Sequence, residues 1–100
     1  MMKKIGSFWI ELKAPSAPAR DSTRLLGKEG LSPAQQNWFL RARLHGARAF
    51  ILVRDDQRNV YFIPAKHADY INDMTAAQLA AVSIADSLSA IPEIIEGYRE

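Results

Sequence analysis

The segment ARAFILV, residues 47–53, is the feature that most limits what this chain can fold into. All but one of its residues are apolar, which is typical of a strand buried on both faces of a sheet. Such a strand needs a layer of structure on each side. The chain has 100 residues and is 48% apolar, enough for one domain with a small core. We therefore predict a single α/β domain, residues 1–100, with a small mixed sheet and flanking helices.

A helix is predicted immediately before this strand. Ser32 is a good N-cap, Pro33 suits the first helical position, and Gln35 completes an S-x-x-Q capping box. Gly46 is expected to end the helix. The expected inward stripe consists of Trp38, Phe39 and Ala42, with His45 at its edge, and the expected outward residues are Gln36, Arg41 and Arg43.

Residues 5–12 are rich in aromatic and β-branched residues and alternate loosely, which predicts a strand. The alternation places Trp9, Glu11 and Lys13 on one face. For Glu11 and Lys13 the ordinary interpretation is a surface ion pair. The other interpretation is a site in which the carboxylate binds a divalent cation and the ammonium orients or deprotonates a water molecule.

Turn and capping signals give the remaining elements. Thr75 and Gln78 form a second capping box, and Pro92 is expected to stop the helix that begins there. The predicted elements are a loop at 14–30 with one helical turn near 22–26, a hairpin of the buried strand with residues 60–64, a short helical piece at 66–72 and a C-terminal helix at 74–91.

Charge is segregated along the chain, although the formal net charge is only +2. Basic residues dominate between positions 20 and 58, and acidic residues dominate after position 71. A net charge this small excludes a polycation that binds nucleic acid through overall charge alone. Arg41, Arg43 and Arg48 are candidates for contacts with DNA phosphates, with a solvated surface as the alternative.

The chain contains no cysteine, which excludes a disulfide framework and a thiolate metal site. The basic start MMKK is followed by six uncharged residues before Glu11, too few for the core of a signal peptide. No segment approaches the ~18 consecutive apolar residues of a membrane span. We expect a cytoplasmic protein with no membrane partner.

Two blocks, IELKAP and LSPAQQNWFLRARLHGARAFILV, together resemble the VRR-NUC branch of the PD-(D/E)xK nuclease superfamily. The resemblance covers roughly residues 8–53. It implies a restriction-endonuclease-like core that hydrolyses DNA phosphodiesters with Mg²⁺ or Mn²⁺. It also implies that Glu11 and the backbone carbonyl of Leu12 bind the metal, that Lys13 is the catalytic lysine, and that Gln35 lies near the metal-bound water or the phosphate. Similar blocks in phage Holliday-junction resolvases imply branched DNA as substrate and a phage-infected or prophage-carrying bacterial host.

The family places an aspartate on the strand before E-x-K, and often a helix before that strand. Only ten residues precede Glu11 and none is acidic, so we expect a truncated core. One carboxylate and one carbonyl are too few ligands for a hard cation. The chain is thus expected to be a metal-dependent endonuclease if a carboxylate is supplied, by Asp21, by sequence upstream of Met1 or by a partner chain.

The missing aspartate also motivates a second hypothesis. The chain would then be a catalytically inactive phage-encoded binding or inhibitory protein, such as an anti-defence factor, that occupies a host protein complex. A sheet that lacks the preceding strand would also expose an edge at residues 5–12. Since proteins pair or cover such edges, we expect a homodimer or a heteromer.

Overall fold

A four-stranded mixed sheet with the order β1-β2-β3-β4 forms the centre of the computed structural model, which describes residues 2–5, 8–17 and 23–98. The β1–β2 and β3–β4 pairs are antiparallel, and the β2–β3 pair is parallel. The predicted α/β class, with a small mixed sheet and flanking helices, is confirmed. The strands are β1 (Met2–Ile5), β2 (Phe8–Lys13), β3 (Arg48–Arg54) and β4 (Val60–Pro64), and the α-helices are α1 (Pro33–Leu44), α2 (Ala76–Val82) and α3 (Ile91–Gly97).

Helix α1 makes the crossover between the parallel strands β2 and β3, and it begins and ends where its signals predict. The Ser32 hydroxyl accepts a hydrogen bond from the Gln35 backbone N–H, and the Gln35 side chain accepts one from the Ser32 N–H. Gly46 follows the C-cap residue with φ of 76°, a left-handed conformation that favours glycine. Local chemistry therefore contributes to both ends of this helix.

The burial of α1 differs from the prediction at two positions. Phe39 is fully buried, and Trp38 and Ala42 pack beside it as expected. His45 is exposed, because it is the C-cap and lies beyond the last helical turn. Gln36 is half-buried rather than outward, because its amide donates to the Ala68 carbonyl at 3.2 Å.

The sheet separates two apolar clusters, as the composition of β3 predicts. Ile51 and Val53 face the cluster that includes Phe39 of α1 and Leu79 of α2. Phe50 faces the other cluster, which is completed by the following residues of β4 and α3: Phe62, Ile91 and Ile95. Strand β3 is thus buried on both faces.

The predicted C-terminal helix over residues 74–91 is wrong. The capping box at Thr75 is present, but α2 ends after seven residues, at Val82. The Ser83 hydroxyl then accepts a hydrogen bond from the Phe62 N–H at 2.8 Å, and the Ile84 N–H donates to the Phe62 carbonyl at 2.9 Å. These two contacts hold the chain in an extended conformation beside β4 and prevent the helix from continuing.

Pro92 also behaves differently from the prediction, because it lies in the first turn of α3 instead of ending a helix. The first backbone N–H groups of a helix have no intrahelical acceptor, so a residue that lacks an N–H is tolerated there. A 3-10 turn at Leu88–Ala90 leads directly into α3. The residues after Val82 therefore form a separate element that covers the second face of the sheet.

Two of the other predicted helical pieces are shifted or divided. Within the loop predicted at 14–30, with a helical turn near 22–26, the structure has a 3-10 turn at Gly27–Glu29, and the described residues 23–26 are not helical. Position 22 and Asp21, a candidate source of the missing carboxylate, lie outside the described residues. The piece predicted at 66–72 consists of two 3-10 turns, Ala65–His67 and Ile71–Asp73.

The strand predicted at residues 5–12 is divided between β1 and β2. β1 pairs along β2 with Met2 opposite Glu11 and Ile5 opposite Phe8. A short strand therefore does precede E-x-K, and the edge on which the oligomer prediction was based is covered. Among residues 23–98, which hold all the helices described, none of the helices is long and apolar enough to cross a membrane.

Candidate functional site

Glu11, Lys13 and Gln35, the three predicted catalytic side chains, contact one another; we call them the polar cluster. The Gln35 Nε2 amide donates to Glu11 Oε1 at 3.0 Å. The Lys13 Nζ ammonium lies 3.5 Å from the same carboxylate oxygen. It also donates to Gln35 Oε1 at 3.4 Å. Side chains from β2 and from the first turn of α1 thus form a closed set of contacts.

The topology explains why these residues meet. Glu11 and Lys13 are two positions apart on β2, so their side chains share a face. They pair in register with Ile51 and Val53, which belong to the apolar cluster beneath α1. A helix that connects two parallel strands starts near the carboxyl end of the first strand. Gln35, in the first turn of α1, is thereby brought above the end of β2, where sites of α/β domains are commonly built.

The burial of the polar cluster excludes the surface ion pair as an interpretation. Glu11 is 0% exposed, and the side chain of Lys13 is 17% exposed. Removing a charged group from water costs several kcal/mol per ion, and the attraction between the two charges often fails to offset that cost. A hydrophobic pair at these positions would be the ordinary means of stabilising the sheet. Stabilisation of the fold therefore does not explain why a charged pair occupies these positions.

Gln35 has two roles at once, capping and contact with the charged pair. Its Oε1 atom accepts from the Ser32 N–H at 2.9 Å and from Lys13, while its Nε2 atom donates to Glu11. The capping bond fixes the rotamer of the side chain, and the fixed rotamer directs the amide nitrogen at the carboxylate. Helix capping and the geometry of the polar cluster are therefore coupled.

The polar cluster does not by itself fit a hard divalent cation. Mg²⁺ and Mn²⁺ take oxygen ligands, chiefly carboxylates, carbonyls and water. Glu11 is the single carboxylate of the cluster, and its Oε1 already contacts an ammonium and an amide. In the part of the chain that the structure describes, no group of three His, Cys, Asp or Glu side chains could hold a metal ion. A metal site would need another carboxylate.

Leu12, whose backbone carbonyl was predicted as a metal ligand, lies between Glu11 and Lys13. Leu12 is 52% exposed and lines a mainly apolar groove with Leu52 and Leu88. Leu52 belongs to the second apolar cluster, so this groove lies on the face opposite to Glu11. Ligation by the Leu12 carbonyl stays a prediction.

The three arginines predicted to contact DNA lie away from the polar cluster. Arg41 and Arg43 are exposed in the last turn of α1. At 1.5 Å per residue, Arg43 is about 12 Å from Gln35 along the helix axis. Arg48 is half-buried at the start of β3, where it donates to the Ile95 carbonyl at 2.9 Å and stacks on Phe8 at 4.1 Å from the ring centroid. The contacts of Arg48 join α3 to the sheet, and a DNA-binding role for the three arginines stays a prediction.

Asp55 is a second buried carboxylate that sequence reasoning treated only as part of a turn. It accepts hydrogen bonds from the backbone N–H groups of Gln57 and Asn59, both at 2.9 Å, and from the Asn59 side chain at 3.0 Å. These bonds close the turn between β3 and β4. Burial and the nearby charge of Asp55 raise the pKa of Tyr61. An Asp followed by Asn four residues later was the available sequence signal.

Asn72 is a further residue near the site that sequence reasoning missed. Its side chain hydrogen-bonds the backbone of Leu31, the residue before the N-cap of α1. No local pattern predicts a contact between residues 41 positions apart.

Comparison of the chain with protein-family models, with curated protein sequences and with solved structures found no match in any of the three. The resemblance to VRR-NUC nucleases therefore depends on the two sequence blocks within residues 8–53, and membership of that family stays a prediction.

Proposed function

We propose that the chain is a nuclease-like protein that hydrolyses DNA phosphodiesters with a divalent metal ion, at branched structures. The observation that carries this proposal is the contact among Glu11, Lys13 and Gln35. Gln35 is 24 residues from Glu11 in sequence, yet their side chains are hydrogen-bonded. The same three residues are those that the resemblance to nucleases assigns to catalysis.

The properties of each side chain are consistent with these assignments. Lys13 retains some exposure, so its ammonium can approach a phosphate and offset negative charge in the transition state. Gln35 holds the Glu11 carboxylate through its amide nitrogen. Mg²⁺ or Mn²⁺ would require another carboxylate, and we propose Asp21 or an acidic residue of a partner chain as its source. Arg41 and Arg43 are the exposed residues proposed to contact the DNA backbone.

A cleavage assay with matched variants tests this function. A labelled four-way DNA junction and the corresponding duplex are incubated with the chain and Mg²⁺ or Mn²⁺. We expect slow cleavage of the junction that depends on the metal and decreases at least about 100-fold in Glu11→Gln and in Lys13→Ala. The control is Lys66→Ala, which removes an exposed lysine remote in sequence from the cluster and should keep the wild-type rate. Absence of metal-dependent cleavage by the wild type would overturn the proposal that this chain, with Asp21 or a second copy of itself as the source of the carboxylate, is a nuclease.

A second candidate function is a catalytically inactive phage-encoded binding or inhibitory protein that occupies a host protein complex. The incomplete donor set of the polar cluster favours this function. It predicts that the wild type and Glu11→Gln are equally inactive on both DNA substrates. It also predicts that calorimetric titration with Mn²⁺ gives no heat of binding for either protein.

A further inference from the structure

The Asn72 side chain forms two hydrogen bonds with the backbone of a single residue, Leu31, which directly precedes the N-cap of α1. Asn72 Oδ1 accepts from the Leu31 N–H at 2.7 Å, and Asn72 Nδ2 donates to the Leu31 carbonyl at 2.8 Å. The two bonds reproduce the pattern by which neighbouring strands pair. Leu31 is buried, so loss of this partner would leave polar backbone atoms without a replacement from water. The Asn72 carboxamide therefore fixes the position of the Leu31 backbone.

Gly30 shows how closely the carboxamide fits against the chain. A Cβ atom added at Gly30 would overlap Asn72 Oδ1 and Cγ. The backbone conformation of Gly30 is ordinary for any residue, with φ of −78° and ψ of −167°. Glycine is thus required at this position for space and not for backbone freedom.

A continuous series of hydrogen bonds leads from Asn72 to the polar cluster. Asn72 fixes Leu31, and the next residue, Ser32, donates its N–H to the Gln35 side chain. Gln35 in turn donates to Glu11 and accepts from Lys13.

The segment between β4 and Asn72 also contacts the first turn of α1 at a second point. Gln36 donates to the carbonyl of Ala68, which lies in the segment that connects β4 to Asn72. Because both bonds come from residues after β4, the place where α1 starts is determined by tertiary contacts as well as by its own capping box.

We propose that Asn72 is a positioning residue for Gln35. It holds the Leu31–Ser32 peptide group in the position and orientation that bring the Gln35 amide into contact with Glu11 and Lys13. The significance of this role for catalysis depends on the proposed function, whereas the role itself is a property of the fold. Asparagine suits the position because it has one acceptor and one donor. An aspartate would keep the bond to the Leu31 N–H and would place an oxygen against the Leu31 carbonyl.

The experiment measures the side-chain amide protons of Gln35 by NMR in Asn72→Asp. We expect their exchange with solvent to become at least about tenfold faster, because the Gln35–Glu11 hydrogen bond opens more often. Exchange at the backbone amides of Phe50 on β3 and Phe62 on β4, two fully buried residues, should stay unchanged, which separates local repositioning from general loss of stability. The matched control is Asn37→Asp, the same chemical change at an exposed position of α1. If Asn72→Asp does not fold, Asn72→Ser is measured in its place.

Gly30→Ala provides an independent approach to the same contact. Its methyl group should displace the Asn72 carboxamide and speed Gln35 exchange, and it should have a much smaller effect when Asn72→Ala is already present. Wild-type exchange at Gln35 in folded Asn72→Asp, or an equal effect of Gly30→Ala in both backgrounds, would overturn the proposal.

The exchange measurement does not require DNA cleavage, so it tests the positioning role even if the nuclease proposal fails. If the wild type does cleave DNA, Asn72→Asp should lower kcat and leave KM unchanged. An unchanged kcat would contradict the catalytic part of the inference and would leave the nuclease assignment standing.

Discussion

Burying a carboxylate completely costs free energy that a domain of this size can hardly offset. Glu11 is such a carboxylate, and it contacts an ammonium and an amide at the end of a strand. The apolar residues Ile51 and Val53 flank the pair on β3. A free energy of unfolding of only about 5–15 kcal/mol leaves little room for charges that do not stabilise the fold. At the scale of single residues, this is the reason to assign Glu11 and Lys13 to chemistry.

Gln35→Glu should create a metal site from residues that the structure describes. The Gln35 Nε2 atom lies 3.0 Å from Glu11 Oε1, so the variant brings a second carboxylate beside the first. Two carboxylates at this distance repel, and a bridging cation relieves the repulsion. Glutamate also suits the capping box. We expect Mn²⁺ to raise the Tm of Gln35→Glu more than that of the wild type or of Gln35→Ala, as measured by calorimetric scans. Equal shifts in all three proteins would contradict this expectation.

The raised pKa of Tyr61 predicts a loss of stability in alkaline solution. Burial, and secondarily the charge of Asp55, raise this pKa above its ordinary value of 10.0. The folded chain therefore holds the phenolic proton more tightly than the unfolded chain. The corresponding stability is fully present below pH 10.0 and is lost as the pH rises through that value toward the folded pKa. Urea midpoints of the wild type should fall more steeply above about pH 10 than those of Tyr61→Phe. Parallel curves would refute this explanation.

At the scale of elements, local signals predicted α1 and failed for the C-terminal part of the chain. The ends of α1 depend on Ser32, Gln35 and Gly46, all of which act within a few residues. The end of α2 depends on Ser83 and Phe62, which are 21 positions apart. The periodicity over residues 74–91 could not show that the chain hydrogen-bonds to the edge of β4 at Ser83 and that the helix therefore ends.

Ser83→Ala tests this explanation for the end of α2. The Ser83 hydroxyl accepts from the Phe62 N–H and donates to the Ala85 carbonyl at 2.6 Å. Its loss leaves a backbone N–H at the edge of β4 without an acceptor, so we expect the free energy of unfolding to decrease by about 1–3 kcal/mol. Ser89→Ala, at an exposed position, is the control and should change it by less than about 0.5 kcal/mol. Equal effects in urea unfolding would contradict the proposed role of Ser83.

At the scale of the whole molecule, the sequence predicted the layered α/β arrangement and the convergence of Glu11, Lys13 and Gln35. The two-residue strand period predicted that Glu11 and Lys13 share a face, whereas the position of Gln35 beside them was implied only by the resemblance to nucleases. The position of Arg48 was not predictable, because α3, which provides its hydrogen-bond acceptor, was itself unforeseen. Strand β1 was missed because four residues carry too little pattern to indicate a strand.

The measurement that most directly tests the assignment of Glu11 and Lys13 to chemistry compares stability and cleavage in one double variant, Glu11→Leu/Lys13→Met. Replacing a buried ion pair by apolar side chains is often neutral or stabilising by about 1–4 kcal/mol. We therefore predict a free energy of unfolding within about 1 kcal/mol of the wild type, or higher, together with complete loss of metal-dependent DNA cleavage. Cleavage at the wild-type rate, or destabilisation by more than about 3 kcal/mol, would show that the pair is a structural contact and contradict its assignment to chemistry.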